Sequence, residues 1–260
     1  MSGDVRMTTA PTTEWGRALA AAHTIYDVAP LYEAIYLGRG KDYATEAATV
    51  VGLVKERNPG ASDLLDVGCG PGTHLHHFAR AFDRVEGADL AEPMIRHARR
   101  RLPEVPFHRA DMRDFDLGRR FDAVTCLFSA VGNIRGVDEL RATLRCLRRH
   151  LRPGGVLVVE PWWFPDTFVD GHVGGDVVEF KGTRLSRVSY TVGEGDISRM
   201  TVHYVVARTG EGIWHFTDEH VMALFPRETY LTAFQEAGLD AELLDLGNGG
   251  PGAFVGTLPG

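Results

Sequence analysis

The sequence predicts a doubly wound α/β fold, in which helices cover both faces of a mostly parallel sheet. Between residues 63 and 160, short apolar runs alternate with segments of helical periodicity, as expected for β–α–β units. The first run, Asp63–Val67, leads into glycines at alternate positions, Gly68, Gly70 and Gly72. From about residue 165 to residue 224, polar and apolar residues alternate without a helical segment, which predicts an inserted antiparallel sheet.

Length and composition bound the kind of protein. The chain has 260 residues, 44% hydrophobic and 24% charged, which is ordinary for a globular protein. The net charge of −7 disfavours a nucleic-acid substrate, which usually calls for a basic face. The three cysteines lack metal-ligand spacing, so we expect no metal and a reducing, cytoplasmic setting. We find no signal peptide, and no apolar run approaches the roughly 20 residues of a membrane span.

The pattern divides the chain into a core and an insert. Residues 1–13 are small and polar and are expected to form a disordered tail. Residues 14–164 and 225–260 are expected to form the ligand-binding core, which begins with a helical cap. Residues 165–224 are expected to form a β subdomain that acts as a lid or as a dimerisation surface.

The elements of the core follow in order. Short helices are expected from residue 14 to residue 37, and a helix from Tyr43 to Glu56 ends at Asn58-Pro59-Gly60. Five strands are predicted at residues 63–67, 84–89, 105–109, 121–128 and 156–160. Helices are predicted between them at residues 73–81, 92–101 and 137–151, and Arg152–Gly155 is expected to stop the last of these.

The insert and the carboxyl-terminal segment complete the prediction. Antiparallel strands are expected at residues 177–180, 185–190, 200–206 and 215–224. A helix at residues 227–237 ends at Gly238. Strands at residues 241–246 and 253–258 are then expected to close the main sheet as a hairpin.

The glycine turn indicates a nucleotide site at the carboxyl edge of the sheet. Glycines lack a Cβ atom, so a ligand can lie against their backbone, and the following helix directs N–H groups toward it. The spacing D-x-G-x-G-x-G differs from the dinucleotide pattern G-x-G-x-x-G, and no Gly-Lys-Ser/Thr follows for a triphosphate. Acids stand at or near the ends of the first three strands, Asp66, Asp89 and Asp111. This ordered set resembles the S-adenosylmethionine (SAM) site of class I methyltransferases.

The resemblance implies roles for individual residues of the cofactor site. Gly68, in the turn with Asp66, Gly70 and Gly72, would contact the methionine part of SAM. Asp89, followed by Leu90, would bind the ribose hydroxyls, and Asp111 with Met112 would bind the adenine. Leu127 would line the cofactor from the fourth strand, and Tyr32 would hydrogen-bond the SAM carboxylate.

Further motifs resemble a narrower family. They are Gly38–Tyr43, Asp111–Phe115, Leu117–Phe121, Phe128–Gly132, Glu160–Pro165 and Arg199–Tyr204. These motifs are similar to those of the nucleotide-aminosugar N-methyltransferases of macrolide biosynthesis, which dimethylate the amine of a TDP-linked deoxyaminosugar such as mycaminose or desosamine. The resemblance spans roughly residue 26 to the carboxyl end.

The narrower resemblance implies substrate contacts. Tyr26 and Tyr43 would face the substrate, and Trp162, Trp163 and Phe164 follow the fifth strand, where substrate must meet cofactor. Arg187 and Arg199 lie on inserted strands, where they are candidates to bind the diphosphate bidentately. Each of these side chains also has a simpler explanation, in which aromatic rings pack helices or the sheet and arginines lie on a solvated strand.

Two departures from the family bear on the substrate. Some relatives carry a histidine where this chain has Asn133, which cannot accept a proton at neutral pH. Some carry an arginine in the stretch that is Asn248–Gly252 here, which holds no cation. Tyr26, by resemblance, and Asn133 are the candidate catalytic residues, and orientation of a neutral amine is expected to supply much of the acceleration. His172, His203 and His220 are the alternative candidate bases, although lone histidines on strands are more often structural. The particular sugar, the position of its amine and the number of methylations stay open.

Two alternative functions stay open, and the sequence also predicts an oligomeric state. The enzyme could methylate an amine or hydroxyl of another small natural product, although a metal-dependent O-methyltransferase would require clustered carboxylates and histidines near the fourth strand. A SAM-binding protein without transferase activity is disfavoured by the complete glycine turn. Pairing of the inserted sheet about a two-fold axis, which the resemblance also implies, predicts a homodimer.

Overall fold

The fold is given by a computed structural model, which describes residues 14–260. The strands, in chain order, are β1 (Asp63–Val67), β2 (Arg84–Asp89), β3 (Phe107–Arg109), β4 (Phe121–Cys126), β5 (Leu151–Val159), β6 (His172–Phe180), β7 (Thr183–Glu194), β8 (Ile197–Arg208), β9 (Gly212–Ala223), β10 (Asp240–Leu244) and β11 (Ala253–Thr257). The helices are α1 (Glu14–Ala20), α2 (Ala29–Gly38), α3 (Tyr43–Arg57), α4 (Thr73–Phe78), α5 (Glu92–Arg101), α6 (Val137–Arg149) and α7 (Arg227–Glu236), and short 3-10 helices cover Ile25–Asp27 and Ala130–Asn133. The predicted tail, residues 1–13, lies outside the described residues.

The chain forms two compact units. The core unit consists of Asp42–Phe168, Gly193–Ser198 and Val221–Gly260. The sheet unit consists of the described residues up to Lys41 together with Val169–Val192 and Arg199–His220. The sequence-based division into a core (14–164 and 225–260) and an insert (165–224) stays a prediction.

A seven-stranded sheet organises the core unit, in the order β10-β11-β5-β4-β1-β2-β3. Strands β1 to β5 are parallel where they pair, and the hairpin of β10 and β11 joins β5 in the antiparallel sense. All five residues of β1 are buried, as expected for a central strand covered on both faces. One apolar cluster includes residues of α6 and α7, and another includes residues of α3, α4 and α5. The predicted doubly wound α/β fold is confirmed.

Several predicted boundaries in the core unit are wrong. β3 begins at Phe107 instead of residue 105, and β10 ends at Leu244 instead of residue 246. The helix after the glycine turn ends at Phe78 instead of Ala81. The fourth strand ends at Cys126 instead of Phe128. Phe128 and Ser129 adopt left-handed backbone, with φ of 51° and 58°, which is incompatible with an extended strand. Arg152–Gly155, expected to be a loop, belongs to β5.

The early start of β5 has two physical causes. The guanidinium Nη1 of Arg152 lies 2.6 Å from carboxylate oxygens of both Asp63 and Asp122, which fixes the residue beside β1 and β4. Gly154 donates a backbone hydrogen bond to Leu258 at 2.9 Å, and Gly155 accepts one from Leu258 at 2.9 Å. These residues are therefore paired as strand, although Pro-Gly-Gly is a turn sequence by composition.

The sheet unit contains most of a four-stranded antiparallel sheet in the order β6-β7-β8-β9. Its buried face includes Val202, Trp214 and Phe216, which form one apolar cluster with Leu31 and Ile35 of α2. Alternate residues of the strands are exposed, as a period of two dictates. The predicted antiparallel sheet is confirmed. Each of its strands begins before the predicted range, and β6 and β9 end at or one residue before the predicted end.

Candidate active site

The glycine turn between β1 and α4 is tied to the end of β2. The N–H of Gly68 donates to the carbonyl oxygen of Ala88 at 2.8 Å. Gly68, Gly70 and Gly72 have φ values of 72°, 53° and 74°, a region that side chains disfavour. A Cβ atom on Gly68 would lie 2.5 Å from the Cβ of Ala130, so this position requires glycine.

Asp89 organises the same turn from the end of β2. Its carboxylate accepts the N–H of Gly70 and the N–H of Ala91, each at 2.8 Å. Burial raises the pKa of Asp89, and these hydrogen bonds oppose the shift. A carboxylate has about four lone-pair positions, so the group retains capacity to accept a hydroxyl proton. The neighbouring side chain, Leu90, is 59% exposed.

Asp66 lies inside the sheet, beneath the turn. Its side chain is 2% exposed and accepts the hydroxyl proton of Thr125 at 2.8 Å. Burial raises the pKa of Asp66 to about 6, even though His74 and the Thr125 hydrogen bond lower it. The carboxyl group therefore joins β1 to β4 inside the sheet.

His74 on α4 is close enough to Asp66 to lower the pKa of that carboxyl group by charge interaction. The His74 side chain is buried, and its Nε2 lies 3.0 Å from a carboxylate oxygen of Glu46 on α3. The ring of Tyr43 contacts the His74 ring edge-on at a centroid distance of 4.9 Å. Tyr43 is 5% exposed, so the structure places this predicted substrate residue in the packing between α3 and α4.

The segment after β3 carries an ion pair and an apolar side chain. Asp111 accepts hydrogen bonds from Arg113 at 2.6 and 2.9 Å, and these bonds lower the pKa of Asp111. Arg113 also donates to Glu139 at 2.7 Å. The methyl carbon of Met112 would lie 3.9 Å from a Cβ atom on Gly68, so Met112 borders the glycine turn.

The chain turns sharply after β4. Leu127 is 4% exposed, and Phe128 and Ser129 both adopt left-handed backbone. The N–H of Phe128 donates to the Glu160 carboxylate at 2.6 Å. Glu160 thereby links the residues that follow β4 to those that follow β5.

The 3-10 helix Ala130–Asn133 is packed closely along its length. A Cβ atom on Gly132 would lie 2.7 Å from the methyl carbon of Met222 and 3.1 Å from the Cβ of Trp162. The Asn133 side chain is exposed, and its Nδ2 donates to the Ala130 carbonyl at 3.1 Å. This bond uses one of the two N–H donors of the amide, and the side-chain oxygen of Asn133 keeps its capacity to accept a hydrogen bond.

The aromatic residues after β5 have different environments. Trp162 is half-buried, and its Nε1 donates to the hydroxyl of Ser198 at 2.9 Å. Trp163 is half-buried and meets Trp162 edge-on at a centroid distance of 6.5 Å. Phe164 is 1% exposed and packs against Tyr230 in the core. The two tryptophans are thus accessible to a ligand, whereas Phe164 stabilises the fold.

In the sheet unit, the predicted tyrosines form an aromatic group. The ring of Tyr26 lies 6.0 Å from that of Tyr32 and 5.8 Å from that of His220, centroid to centroid. Tyr32 contacts Tyr36 at 4.7 Å. The Nε2 of His220 lies 3.2 Å from Asp218, which lowers the pKa of that carboxyl group against the effect of burial.

The two predicted diphosphate ligands are both in ion pairs or hydrogen bonds. Arg187 is 8% exposed, donates to the Ser189 hydroxyl at 3.0 Å and lies 3.8 Å from Asp176. Arg199 is half-buried, and its Nη1 lies 2.6 Å from Glu219. Arg187 is therefore held within the unit, and Arg199 is the more accessible of the two.

The described residues contain neither a metal-binding cluster nor a membrane-spanning helix. Across residues 14–260, no cluster of three or more histidine, cysteine, aspartate or glutamate side chains has a geometry that would hold a metal ion. Over the same range, no helix is long and apolar enough to cross a membrane.

Comparison with known proteins identifies the family. A dTDP-3-amino-3,4,6-trideoxy-alpha-D-glucopyranose N,N-dimethyltransferase of Streptomyces venezuelae is 52% identical over 89% of this chain and 98% of its own length. A dTDP-4-amino-2,3,4,6-tetradeoxy-D-glucose N,N-dimethyltransferase of Saccharopolyspora spinosa is 48% identical over 88% of this chain and 92% of its own. The chain belongs to the family of dTDP-aminosugar N,N-dimethyltransferases.

Two further matches agree with this assignment. A family model described as a methyltransferase domain matches residues 64–155. The solved structure of a SAM-bound amino pentose methyltransferase of Micromonospora echinaspora, involved in calicheamicin biosynthesis, has a TM-score of 0.81 and 47% identity, covering 87% of this chain and 96% of that one. This dTDP-aminosugar methyltransferase family uses SAM, and the class I methyltransferase resemblance is confirmed.

The residues of this family member fit the cofactor. A Cβ atom on Gly70 would meet nothing within 4 Å, so the turn has open space beside it. Asp89 stands next to that space with acceptor capacity for a ribose hydroxyl, and Met112 supplies apolar surface beside the turn. Leu127 is 4% exposed and packs in the apolar core. When bound, SAM supplies an electrophilic methyl group on a sulfonium. The roles of the individual residues stay predictions.

Sequence reasoning assigned no role to three features that shape this site. Glu160 is an acid directly after a buried strand, the same signal that singled out Asp89, yet it received no role. The Glu46–His74 pair joins two helices that are distant in sequence, so no local pattern shows it. The left-handed backbone of Phe128 and Ser129 has no compositional signal, because neither residue is glycine.

Proposed function

We propose that this enzyme transfers methyl groups from SAM to the amine of a dTDP-linked deoxyaminosugar in an antibiotic pathway. The observation that carries the proposal is the 52% identity to an N,N-dimethyltransferase of such a sugar over 98% of that relative's length. Relatives that act on 3-amino and on 4-amino sugars are both similar to this chain, at 52% and 48% identity. The proposal therefore names the substrate class and leaves the amine position to experiment.

The residues of the core unit suggest how the reaction is assisted. Attack on a sulfonium methyl requires a neutral amine whose lone pair lies in line with the breaking S–CH₃ bond. Holding two reactants in that geometry supplies much of the acceleration, and no strong base is required. We propose that the Asn133 side-chain oxygen accepts an N–H of the amine, which orients the lone pair without removing a proton. Trp162 and Trp163 are proposed to contact the sugar nucleotide.

The cofactor residues are proposed in the roles that the resemblance implies. Gly68 contacts the methionine part, Asp89 and Leu90 contact the ribose, and Asp111 with Met112 contacts the adenine. The remaining roles are carried by the resemblance alone: Tyr32 at the SAM carboxylate, Tyr26 at the substrate amine and Arg199 at the diphosphate. For Tyr43, Phe164 and Arg187, burial favours roles in supporting the site.

The test is a direct assay with mass detection. The purified enzyme is incubated with SAM and, separately, with a dTDP-3-amino-deoxysugar and a dTDP-4-amino-deoxysugar. We expect one or two methyl additions with one of them, and none with the matched sugar whose amine is replaced by a hydroxyl group. Methylation of the hydroxyl sugar, or no product with any aminosugar nucleotide while SAM still binds, would contradict the proposal.

We also propose a homodimer formed through the outer face of the four-stranded sheet. Val173 pairs with Tyr190 and Gly175 with Val188, and the side chains of Val173, Val188 and Tyr190 are 68%, 52% and 53% exposed. A contiguous apolar surface of this kind favours association with a second copy. Light scattering should give a dimer for the wild type and a monomer for Val188→Glu, whereas Asp240→Lys, an exposed change on β10, should stay dimeric. A wild-type monomer would refute this assignment.

A cytoplasmic location is the last part of the proposal. Cys69, Cys126 and Cys146 are free and buried, which fits a reducing compartment. Fractionation of the producing cells, with detection of the native enzyme, should recover it with cytoplasmic markers. Recovery with an extracytoplasmic fraction would contradict this location.

A further inference from the structure

The turn after β4 adopts an unusual backbone conformation. Phe128 and Ser129 have φ of 51° and 58°, and apart from them only Lys181 has a positive φ among the described non-glycine residues. L-residues with a side chain avoid this region because the Cβ atom approaches the backbone carbonyl. Two such residues in succession persist only when the surrounding structure holds them.

Four hydrogen bonds hold this turn. One closes it directly, because the Ala130 N–H donates to the carbonyl of Leu127 at 3.1 Å, and the other three involve residues that follow β5. The Glu160 carboxylate accepts the N–H of Phe128 at 2.6 Å, and the Glu160 N–H donates to the carbonyl of Cys126 at 2.9 Å. The Ser129 hydroxyl donates to the carbonyl of Pro161 at 2.9 Å. The carboxylate of Glu160 is 9% exposed, so its bond to Phe128 is little weakened by water. The segments that follow β4 and β5 are therefore fastened together at the carboxyl edge of the sheet.

The turn determines where the next four residues lie. Ala130 comes directly after Ser129, and its Cβ occupies the space that a Cβ on Gly68 would need. Gly132 lies against Trp162, whose Cβ would be 3.1 Å from a Cβ atom on residue 132. A chain that stayed extended beyond Leu127 would carry Ala130 away from the glycine turn, and Asn133 with it.

We propose that Glu160 is a positioning residue for methyl transfer. Its carboxylate holds Phe128 and Ser129 in left-handed backbone, and this conformation holds Ala130 against Gly68 and Asn133 at the edge where the amine must approach. Glu160 thus acts through the turn. The inference rests on the methyl-transfer function, but its binding tests use S-adenosylhomocysteine alone and are independent of the sugar substrate.

The test compares Glu160→Ala, Glu160→Gln and a control variant. In Glu160→Ala the turn loses its acceptor, so we expect about tenfold weaker binding of S-adenosylhomocysteine by calorimetry and a larger fall in kcat, because small displacements of reacting groups are costly. Glu160→Gln keeps a carbonyl oxygen that can accept the Phe128 N–H without charge, so its losses should be intermediate. Asp122→Asn is the matched control, since Asp122 accepts backbone N–H groups of Ser62 and Asp63 elsewhere on the sheet. It should lower Tm and leave S-adenosylhomocysteine affinity unchanged.

A second substitution separates positioning from general stability. Ser129→Gly in the Glu160→Ala background allows residue 129 to adopt a positive φ without a Cβ penalty. Ser129→Gly also removes the Ser129 hydroxyl bond to Pro161, so Ser129→Gly alone is the reference for the double variant. If Glu160 acts by holding that conformation, Glu160→Ala should cost less affinity and kcat in the Ser129→Gly background than in the wild type.

The outcomes discriminate clearly. Wild-type affinity and kcat in Glu160→Ala would overturn the proposal, and so would losses that the glycine fails to reduce. If Glu160→Ala does not fold, the same decision rests on Glu160→Gln with and without Ser129→Gly. If no aminosugar is methylated but the affinities behave as expected, the assigned substrate fails and the role of Glu160 stands.

Discussion

Gly68→Ala should separate the two reasons why glycine is needed in the cofactor turn. The first is the positive φ of 72°, which costs a residue with a Cβ atom roughly 1–2 kcal/mol. The second is the position of Ala130, whose Cβ would lie only 2.5 Å from the new one. Real carbon atoms do not approach this closely, so the turn or the 3-10 helix must move, at roughly 1–3 kcal/mol.

Gly118→Ala is the matched control because only the first cost applies there. Gly118 has φ of 65°, and a Cβ atom on it would meet nothing within 4 Å. We expect Gly118→Ala to lower the free energy of unfolding by roughly 1–2 kcal/mol with unchanged affinity for S-adenosylhomocysteine. Gly68→Ala should lose more stability and bind S-adenosylhomocysteine about tenfold to a hundredfold more weakly, since each 1.4 kcal/mol is a factor of ten.

A double variant tests whether the collision itself is responsible. Ala130→Gly removes the atom that the new Cβ meets, so Gly68→Ala with Ala130→Gly should regain the part of the loss due to the contact and keep the part due to φ. Calorimetric affinities and denaturant unfolding of the four proteins in this cycle give the coupling energy. A coupling energy near zero would refute the contact argument, and full recovery would refute the backbone argument.

Three further predictions concern charged and titrating groups. Asp89→Asn retains one acceptor oxygen for two backbone N–H donors, so S-adenosylhomocysteine affinity should fall at least about tenfold, and an unchanged calorimetric affinity would contradict the role of Asp89. Burial raises the pKa of Asp66 to about 6, above its unfolded value, so the folded state binds the proton more tightly and stability is lost as pH rises through this range. Asp66→Asn should therefore unfold at a higher Tm than the wild type at pH 8, with a gain of up to about 3 kcal/mol, and show no such gain at pH 4; an equal effect at both values would refute the assignment. Asn133→His introduces a base that titrates near neutral pH and can take a proton from the protonated amine. The pH profile of kcat should therefore gain activity on the acid side of the wild-type optimum. A profile that only loses amplitude would argue against a place for residue 133 beside the amine.

The sequence was sufficient for the elements whose signals are local. The bounds of β1, β2 and α5 agree with the prediction, because each is an apolar run or an amphipathic segment between clear turn or charge signals. Residues 152–155 were mispredicted since Pro-Gly-Gly indicates a turn, whereas the ion pairs of Arg152 with distant acids hold this segment in the sheet. Interactions between residues far apart in sequence thus overrode a correct local preference.

The same distinction explains what could be predicted of the site. Glycines that follow a buried strand predict a ligand-binding turn, and the acid at the end of the next strand predicts the carboxylate that pairs with this turn. The left-handed turn at Phe128 and Ser129 has no such signal, because a hydrogen bond to Glu160, which follows β5 and is distant in sequence, helps to hold its conformation. The burial of Tyr43 and Phe164 could not be read either, since an aromatic side chain suits a core and a ligand surface equally.

The two turns at the carboxyl edge share one physical requirement. Catalysis by orientation depends on how little the reacting groups move, and hydrogen bonds that are buried at strand ends restrict motion better than exposed loops do. In this enzyme the glycine turn is fixed from β2 by Asp89, and the turn after β4 is fixed from β5 by Glu160. The two fixed turns meet where Gly68 contacts Ala130, so a substitution at Asp89 or at Glu160 should shift the packing of these two residues. Combining Asp89→Asn with Glu160→Gln should therefore give non-additive losses in S-adenosylhomocysteine affinity, whereas strictly additive losses would mean that each turn is held independently.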